Sequence, residues 1–232
     1  MMRILAIVPA YNEEGSLEKT VRSLEHGCPG VDYLVVNDGS TDATGAICDE
    51  LGLNHIDHDK NLGLSAAFHT GIAYAALRDY DAAIQFDADG QHRPEYVLQM
   101  AYELDEKGAD IVIGSRALAG CMPSDLRSVG SALIRGLIRA TSGTAVGDPT
   151  SGLRMYGRRV IEALAADPTL QPEPDMLAIM ARRGARIVEV PAIMHDRETG
   201  KSYLSPANVV RYMTRVVGSL AVGQFLRHDQ PL

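Results

Sequence analysis

Two aspartates separated by one residue, Asp87 and Asp89, follow an apolar run that ends at Phe86. A run of this kind, bounded by turn residues, is typical of a buried strand in a parallel sheet, and ligands bind at the carboxyl ends of such strands. Because alternate residues of an extended segment point the same way, we expect both carboxylates to face one cation. Their oxygens suit Mg²⁺ or Mn²⁺, and Gln91 adds a third candidate oxygen ligand. The alternative is an ordinary turn, since Asp and Gly are common turn residues.

The elements that position these acids alternate regularly along the first half of the chain. Strand patterns at 3–8, 33–36, 53–56, 82–86 and 111–114 are separated by helical patterns. This alternation predicts βαβ units, and therefore an α/β fold with a mostly parallel, Rossmann-like central sheet flanked by helices. Right-handed crossovers bring the strand ends to one edge, so Tyr11, Asn12, Glu13 and Asp38 should converge there with the central acids.

The pattern changes after residue 115. Residues 116–147 carry four arginines and one acid, and further strand and helix patterns follow as far as residue 226. We expect Arg116 and Arg127, both in a predicted loop, to bind an anion, whereas Arg135 and Arg139 fit the polar face of an amphipathic helix. We interpret residues 1–232 as one domain, with a nucleotide side at 1–115 and an acceptor side at 116–232 that ends in an amphipathic helix at 207–226.

Charge, cysteine content and hydropathy indicate which classes of protein this chain does not resemble. A net charge of −8 argues against nucleic-acid binding. Three cysteines without metal-ligand spacing indicate free thiols in a reducing compartment. With no signal-peptide pattern and no apolar stretch of about 18 residues, we expect a cytoplasmic protein without a transmembrane helix. The apolar stripe of the last helix fits packing on the sheet, contact with another subunit in a homo-oligomer, or a peripheral position at the cytoplasmic face of a membrane.

The predicted edge of the sheet suits a nucleoside diphosphate. The two best-known glycine-rich phosphate loops are absent from the sequence. The strand ends instead offer an aromatic ring for a base and amide and carboxylate groups for base edges or ribose hydroxyls. A diphosphate bridged by a metal to Asp89 would explain the whole edge, with the nucleoside diphosphate as a leaving group.

Several segments together resemble a known family. They are VPAYNEE at 8–14, VVNDGSTD at 35–42, NLG at 61–63, DADGQH at 87–92, GSR at 114–116, DPTSGLR at 148–154 and RETGKS at 197–202. These segments resemble glycosyltransferase family 2, which has the GT-A fold, and within it the polyprenol-phosphate (dolichol-phosphate) sugar transferases. The resemblance covers nearly the whole chain and implies transfer of a sugar from a UDP- or GDP-sugar with inversion at the anomeric carbon.

The resemblance also implies roles for particular residues. The nucleotide-sugar site would comprise Pro9, Tyr11, Asn12, Glu13, Asp38, Asn61, Gly63, Asp87 and Ala88. The metal ligands would be Asp87, Asp89 and Gln91, and Asp89 would also count as catalytic because the metal bridges it to the diphosphate. Polyprenol-phosphate enzymes often carry Lys directly after the serine of the last motif, whereas this chain has Tyr203 there and Lys201 two residues earlier.

The acceptor remains open between two chemistries. A phosphate acceptor is already a nucleophile and needs cationic groups to hold it, for which Arg116, Arg127, Arg197, Lys201 and Ser202 are the candidates. A hydroxyl acceptor on a glycan needs a carboxylate base. The candidates for that base are Asp148, Glu173 and Asp175, although the last two would also suit the start of a helix.

Polyprenyl phosphate is the leading acceptor, and a glycan hydroxyl in polysaccharide or cell-wall synthesis is the alternative. A sugar-phosphate nucleotidylyltransferase would need a glycine-rich loop with Arg and Lys after the first strand, which the sequence lacks. A non-catalytic sugar-nucleotide-binding protein is the remaining alternative. The intact metal motif argues against that alternative.

Overall fold

The computed structural model describes residues 2–90, 92–121 and 126–193, together with positions 218 and 232. The strands are β1 (Ile4–Ala10), β2 (Asp32–Asn37), β3 (His55–Asp57), β4 (Ala82–Gln85), β5 (Ile111–Ser115), β6 (Arg154–Gly157) and β7 (Ile187–Pro191). The helices are α1 (Leu17–Gly27), α2 (Thr44–Glu50), α3 (Leu64–Leu77), α4 (Glu95–Glu106), α5 (Leu126–Ser142), α6 (Arg158–Ala166) and α7 (Pro174–Arg182).

The strands form one sheet in the order β3-β2-β1-β4-β6-β5-β7. Strands β1, β2, β3 and β4 pair in parallel, and so do β5 and β7, whereas β6 runs antiparallel to both of its neighbours. The predicted α/β fold with a mostly parallel sheet is therefore confirmed. Strands from the nucleotide side and from the acceptor side lie next to one another in this sheet.

Helices cover both faces of the sheet. Leu5 and Ile7 of β1 point to the layer of α3, α5, α6 and α7, while Ala6 and Val8 point to the layer of α1 and α4. This alternation follows from the two-residue period of a strand, and it explains why the central strands are apolar on both sides. Each fully buried Leu, Ile or Val contributes roughly 1.5–3 kcal/mol to folding, which fixes the strand ends in a rigid frame.

Two local predictions are wrong. Strand β4 ends at Gln85, so Asp87 and Asp89 lie in the turn that follows and strand alternation does not set their directions. Helix α5 begins at Leu126, so Arg127 is helical and not in a loop, and its side chain lies outside the described residues. Arg116 does lie in a turn, directly after β5.

No helix within 2–90, 92–121 or 126–193 is long and apolar enough to cross a membrane. The predicted last helix at 207–226 lies outside the described part of the chain, apart from Gly218.

Candidate active site

Strands β1, β2 and β4 end at the same edge of the sheet, as the sequence predicts. They are parallel neighbours, and hydrogen bonds between their backbones continue past the ends of the strands. The amide of Asp38 donates to the carbonyl of Ala10 at 2.8 Å, and the amide of Phe86 donates to the carbonyl of Ile7 at 2.9 Å. The segments that follow these strands are therefore held side by side, although they are far apart in sequence.

The segment after β1 is locked to the segment after β2. The Oδ1 atom of Asn12 accepts the amide of Thr41 at 2.8 Å, and the amide of Asn12 donates to Oγ of Ser40 at 3.0 Å. Asn12 has a φ of +56°, a conformation that Asn tolerates better than most residues. The amide of Glu13 donates to Oγ1 of Thr44 at 2.8 Å. The two predicted nucleotide motifs thus form one structural unit.

Pro9 and Tyr11, both predicted to bind the nucleotide, differ in their exposure to solvent. Pro9 is half-buried and is paired in register with Val36. Tyr11 is 42% exposed, so its ring offers an apolar surface at the edge of the sheet. The carboxylate of Glu13 accepts the hydroxyl of Ser16 at 2.6 Å and thereby braces the start of α1.

Asp38 organises the loop that leads into α3. Its side chain is buried, and its oxygens accept the amides of Leu62 at 2.9 Å and Gly63 at 2.7 Å. Nδ1 of His58 lies 2.7 Å from Oδ1 of the same carboxylate. Asn61, in the same loop, is exposed. Asp38 therefore connects the end of β2 to the 61–63 turn, and its contact with a nucleotide stays a prediction.

The central acids occupy a tight turn. The amide of Asp87 donates to Nδ1 of His92 at 2.9 Å, and Oδ1 of Asp87 accepts Nε2 of Gln85 at 3.0 Å. Because Nδ1 of His92 is an acceptor, the proton of the neutral ring is on Nε2, which lies 3.6 Å from Oδ2 of Asp87. The Asp87 side chain is 29% exposed, whereas Asp89 is buried. The carbonyl of Ala88 accepts Oγ1 of Thr20 at 3.0 Å.

The donor set of this turn fits a hard divalent cation. Among the residues that the structure describes, no three His, Cys, Asp or Glu side chains form a metal-binding group, and the predicted ligand Gln91 lies outside them. Oδ2 of Asp87 lies beside Gly152, where an added Cβ would be 3.4 Å away from it. Two carboxylates in one turn match Mg²⁺ or Mn²⁺, which keep waters and phosphate oxygens as their other ligands.

On the acceptor side, Arg116 and Asp148 form a buried ion pair. Nε of Arg116 lies 2.7 Å from Oδ2, Nη2 lies 2.8 Å from Oδ1, and the Arg116 amide also donates to Oδ2. Oγ1 of Thr150 donates to Oδ1 at 3.1 Å. Burial alone would raise the pKa of Asp148, but the hydrogen bonds from Arg116 and Thr150 hold it below its usual value. Four donors fill the four acceptor positions of this carboxylate, which therefore has little basicity.

Two further side chains fix the loop that carries Asp148. Glu189 on β7 accepts the amides of Gly147 at 2.6 Å and Asp148 at 2.9 Å. Arg154, which is 3% exposed, donates from Nη2 to the carbonyl of Pro149 at 2.6 Å. The loop is thus anchored at both ends, and its Gly152 stands against Asp87.

Arg154 also ties this loop to the start of α7. Its Nη1 donates to the carbonyl of Pro172 at 3.2 Å and lies 3.4 Å from that of Glu173. Glu173 is the N-cap residue of α7, and Asp175 lies in the first turn of the helix. Both acids are partly exposed, which fits the helix-start interpretation.

Some predicted residues cannot be placed, and some contacts were not predicted. Gln91, Arg197, Lys201 and Ser202 lie outside the described residues. The roles of His58 and Glu189 were not predicted. His58 follows β3 at the same edge of the sheet, so the rule that identified Asp38 also applies to it. Glu189 gave no signal, because it lies within a strand.

Solved structures of other proteins share this fold. The fold matches a glucosyl-3-phosphoglycerate synthase from Mycobacterium tuberculosis in complex with Mn²⁺, UDP and glucosyl-3-phosphoglycerate, with a TM-score of 0.69 and 19% identity over 96% of this chain and 80% of that one. It also matches a mannosyltransferase from Pyrobaculum calidifontis in complex with GDP-Man and Mn²⁺, with a TM-score of 0.67 and 16% identity over 99% and 66% of the two chains. The fold is that of GT-A glycosyltransferases.

Sequence comparison then gives the family. The model for glycosyl transferase family 2 matches residues 5–165. The chain is 35% identical to a polyprenol monophosphomannose synthase from Mycolicibacterium smegmatis, over 92% of this chain and 85% of that protein. It is 34% identical to an undecaprenyl-phosphate mannosyltransferase from Micrococcus luteus, over 88% of each. The chain belongs to glycosyltransferase family 2 and is a glycosyltransferase.

Proposed function

We propose that this glycosyltransferase transfers a sugar from a UDP- or GDP-sugar to polyprenyl phosphate, with inversion at the anomeric carbon and with a divalent metal. The observation that carries the acceptor is the similarity to two polyprenyl-phosphate mannosyltransferases along about nine tenths of the chain. A mannose donor follows from the same similarity as the first sugar to test.

The donor occupies the edge of the sheet at the ends of β1, β2 and β4. The exposed ring of Tyr11 stacks on the base, and the loop held by Asp38 supplies Asn61 and Gly63 to the nucleotide. Asp87 and Asp89 hold Mg²⁺ or Mn²⁺, with Gln91 as the third expected ligand. When bound there, the metal neutralises the negative charge of the diphosphate leaving group.

The acceptor phosphate attacks without a protein base. A phosphate oxygen is anionic at neutral pH and needs no base to remove a proton. The geometry of Asp148 supports a reaction without a base, because its carboxylate is saturated by donors from Arg116 and Thr150. We assign Asp148 a structural role: it holds the guanidinium of Arg116 at the end of β5. Arg127, Arg197, Lys201 and Ser202 remain the proposed further contacts of the acceptor phosphate.

A glycan hydroxyl is the second candidate acceptor. It is favoured by one observation, the two partly exposed acids at the start of α7, Glu173 and Asp175, whose backbone Arg154 ties to the Asp148 loop. In that case one of these acids would accept the proton of the hydroxyl.

The proposed acceptor also sets where the enzyme works. A polyprenyl phosphate lies in a membrane, so we propose a peripheral position at the cytoplasmic face, with the 207–226 helix as the contact. We further propose that both sides of the chain act as one domain, since strands of both join one sheet. We also propose that the chain can form a homo-oligomer, which the molar mass of the purified protein in solution would show.

The experiment that tests the function is a transfer assay with radiolabelled GDP-mannose, UDP-glucose and other sugar nucleotides, each with Mn²⁺, with Mg²⁺ and with EDTA. The acceptors are polyprenyl phosphate in detergent and, in parallel, soluble glycans. Metal-dependent product in the lipid fraction supports the proposal. Product on glycans alone would overturn the phosphate acceptor and would direct attention to Glu173 and Asp175.

A further inference from the structure

His58 links three elements at the nucleotide edge of the sheet. Its Nδ1 atom lies 2.7 Å from Oδ1 of Asp38, and its Nε2 atom lies 2.9 Å from Oγ1 of Thr70 on α3. Its amide donates to the carbonyl of Asn37 at 2.9 Å. The side chains of His58 and Asp38 are 10% and 4% exposed, so the linkage is shielded from water.

The chemistry of the partners decides which nitrogen carries the proton. Oδ1 of Asp38 already accepts the amide of Leu62, and an ionised carboxylate can only accept, so Nδ1 of His58 must be the donor. In the neutral ring Nε2 is then an acceptor, and the hydroxyl of Thr70 donates to it. The order of donation is therefore Thr70 to His58 to Asp38, with His58 accepting at Nε2 and donating at Nδ1.

This order matters because Asp38 carries the 61–63 turn. Its two oxygens receive the amides of Leu62 and Gly63, and the turn of Gly39 next to it packs directly on the backbone of Lys60 and Asn61. A small rotation of the Asp38 carboxylate would therefore move the whole turn. Within the part of the chain that the structure describes, the Asp38 carboxylate contacts only His58 and these two amides.

We propose that His58 is a positioning residue for donor binding: through its Nδ1–H bond to Asp38 it fixes the 61–63 turn in the conformation that receives the nucleotide. This inference rests on the proposed use of the edge as a nucleotide-sugar site. His58 itself does not touch the donor. Its effect falls on the affinity for the nucleotide and the KM for the donor, and much less on kcat.

Two amide variants separate the two ring nitrogens. The side-chain nitrogen of Asn occupies the place of Nδ1, whereas that of Gln occupies the place of Nε2. H58N therefore keeps the donor to Asp38 and loses the contact with Thr70. H58Q loses the donor to Asp38 and keeps a contact with Thr70, in which the amide nitrogen donates to the hydroxyl. T70S keeps the hydroxyl that orients the ring, and T70V removes it.

The matched control is H55A. His55 lies on β3, and its Nε2 atom lies near Asp49 and Asp57, so H55A removes a histidine and its ion pairs close by without touching Asp38. Binding of GDP and UDP is measured by calorimetry with Mn²⁺ on the full chain, together with urea unfolding and the KM and kcat of transfer.

The expected result is a split between the variants. H58N and H55A should bind the nucleotide within about threefold of the wild type, and H58Q roughly tenfold or more weakly, since a charge-assisted hydrogen bond is lost. Equal nucleotide binding by H58N and H58Q overturns the proposal. A loss of nucleotide affinity that is fully explained by a lower unfolding free energy of the variant also overturns it. If H58Q does not fold, T70V decides: a raised donor KM that T70S lacks supports the proposal, and equal values overturn it. Wild-type protein that binds neither nucleotide would instead overturn the proposed function.

Discussion

Arg116 and Asp148 form a two-pronged ion pair, with Nε 2.7 Å from Oδ2 and Nη2 2.8 Å from Oδ1. The side chain of Asp148 is fully buried, while a quarter of the Arg116 side chain is exposed at the end of β5. The charge of the guanidinium is already compensated by Asp148. An anionic acceptor therefore needs additional cations, which the sequence predicts in Arg127, Arg197 and Lys201.

The first prediction concerns the role of Asp148. D148N should lower the free energy of unfolding by about 3–5 kcal/mol, because it leaves the Arg116 charge without its partner. The measurement is urea unfolding. E162Q is the control, since it removes an exposed partner of Arg158 and should cost about 0–1 kcal/mol. Unchanged stability with transfer abolished would favour Asp148 as a base.

The same pair makes stability depend on pH in one direction. The pKa of Asp148 is lower in the folded protein than in the unfolded chain, where a value of about 3.9 is expected. Its stabilising effect is therefore complete above that value and is lost as the pH falls through the folded-state pKa. The difference in unfolding free energy between wild type and D148N should be constant at neutral pH and shrink below about pH 4. A difference that grows on acidification would contradict the ion pair.

Gly39 gives a prediction about the nucleotide loop. It has a φ of +65°, and a Cβ added there would overlap the backbone of Lys60 and stand 2.5 Å from the amide nitrogen of Asn61. Gly52 has almost the same φ, +61°, with open space around it. G52A should cost about 1–2 kcal/mol from backbone strain alone. G39A should cost clearly more and should also weaken nucleotide binding, measured by unfolding and calorimetry. Equal costs would mean that the 58–63 loop moves aside freely.

Much of this architecture could be predicted from the sequence for a physical reason. The apolar runs are buried on both faces of the sheet, so they predict parallel strands, and parallel strands must end at one edge. Tyr11, Asn12, Asp38 and Asp87 all follow strands that end at this edge, as expected, and their roles in binding stay predictions. The placement depended only on residue type and order along the chain.

Contacts between distant side chains could not be predicted in this way. Nothing local to Asp148 indicates that Arg116 saturates it, because the pair depends on β6 inserting antiparallel between β4 and β5. The direction of Asp87 depends on where β4 stops, and strand ends are the least predictable part of a strand. The hydrogen bonds of His58 depend on α3, which contributes Thr70.

The cysteines allow a chemical test of burial. All three are free thiols, as the sequence predicts, and Cys28 and Cys48 are buried whereas Cys121 is exposed. Burial raises the pKa of Cys28 to about 11, helped by nearby Glu95. Burial also raises the pKa of Cys48 to about 11, helped by Asp57 and Asp49.

Alkylation should therefore be selective. At pH 8 only about 0.1% of the two buried thiols is ionised, and thiolate is the reactive form. Iodoacetamide followed by peptide mass spectrometry should label Cys121 first in the folded protein and all three cysteines in urea. The C121S variant should show almost no fast labelling. Fast labelling of Cys28 would mean that α1 separates from α4, since its Sγ donates to the carbonyl of Pro94.

The last prediction tests the metal site through Asp87. Its carboxylate is partly exposed, and D87N keeps the shape of the side chain while removing the charge that a cation needs. We expect the affinity for GDP or UDP in Mn²⁺ to fall at least about tenfold, because Mg²⁺ and Mn²⁺ depend on carboxylate ligands. In EDTA, wild type and D87N should bind alike, and the unfolding curve should shift by less than about 1 kcal/mol. The control is D105N, which changes an exposed acid on α4. It should leave the metal effect, meaning the difference in nucleotide affinity between Mn²⁺ and EDTA, unchanged. A metal effect of equal size in D87N and wild type would mean that the diphosphate is held by other groups of the sheet edge.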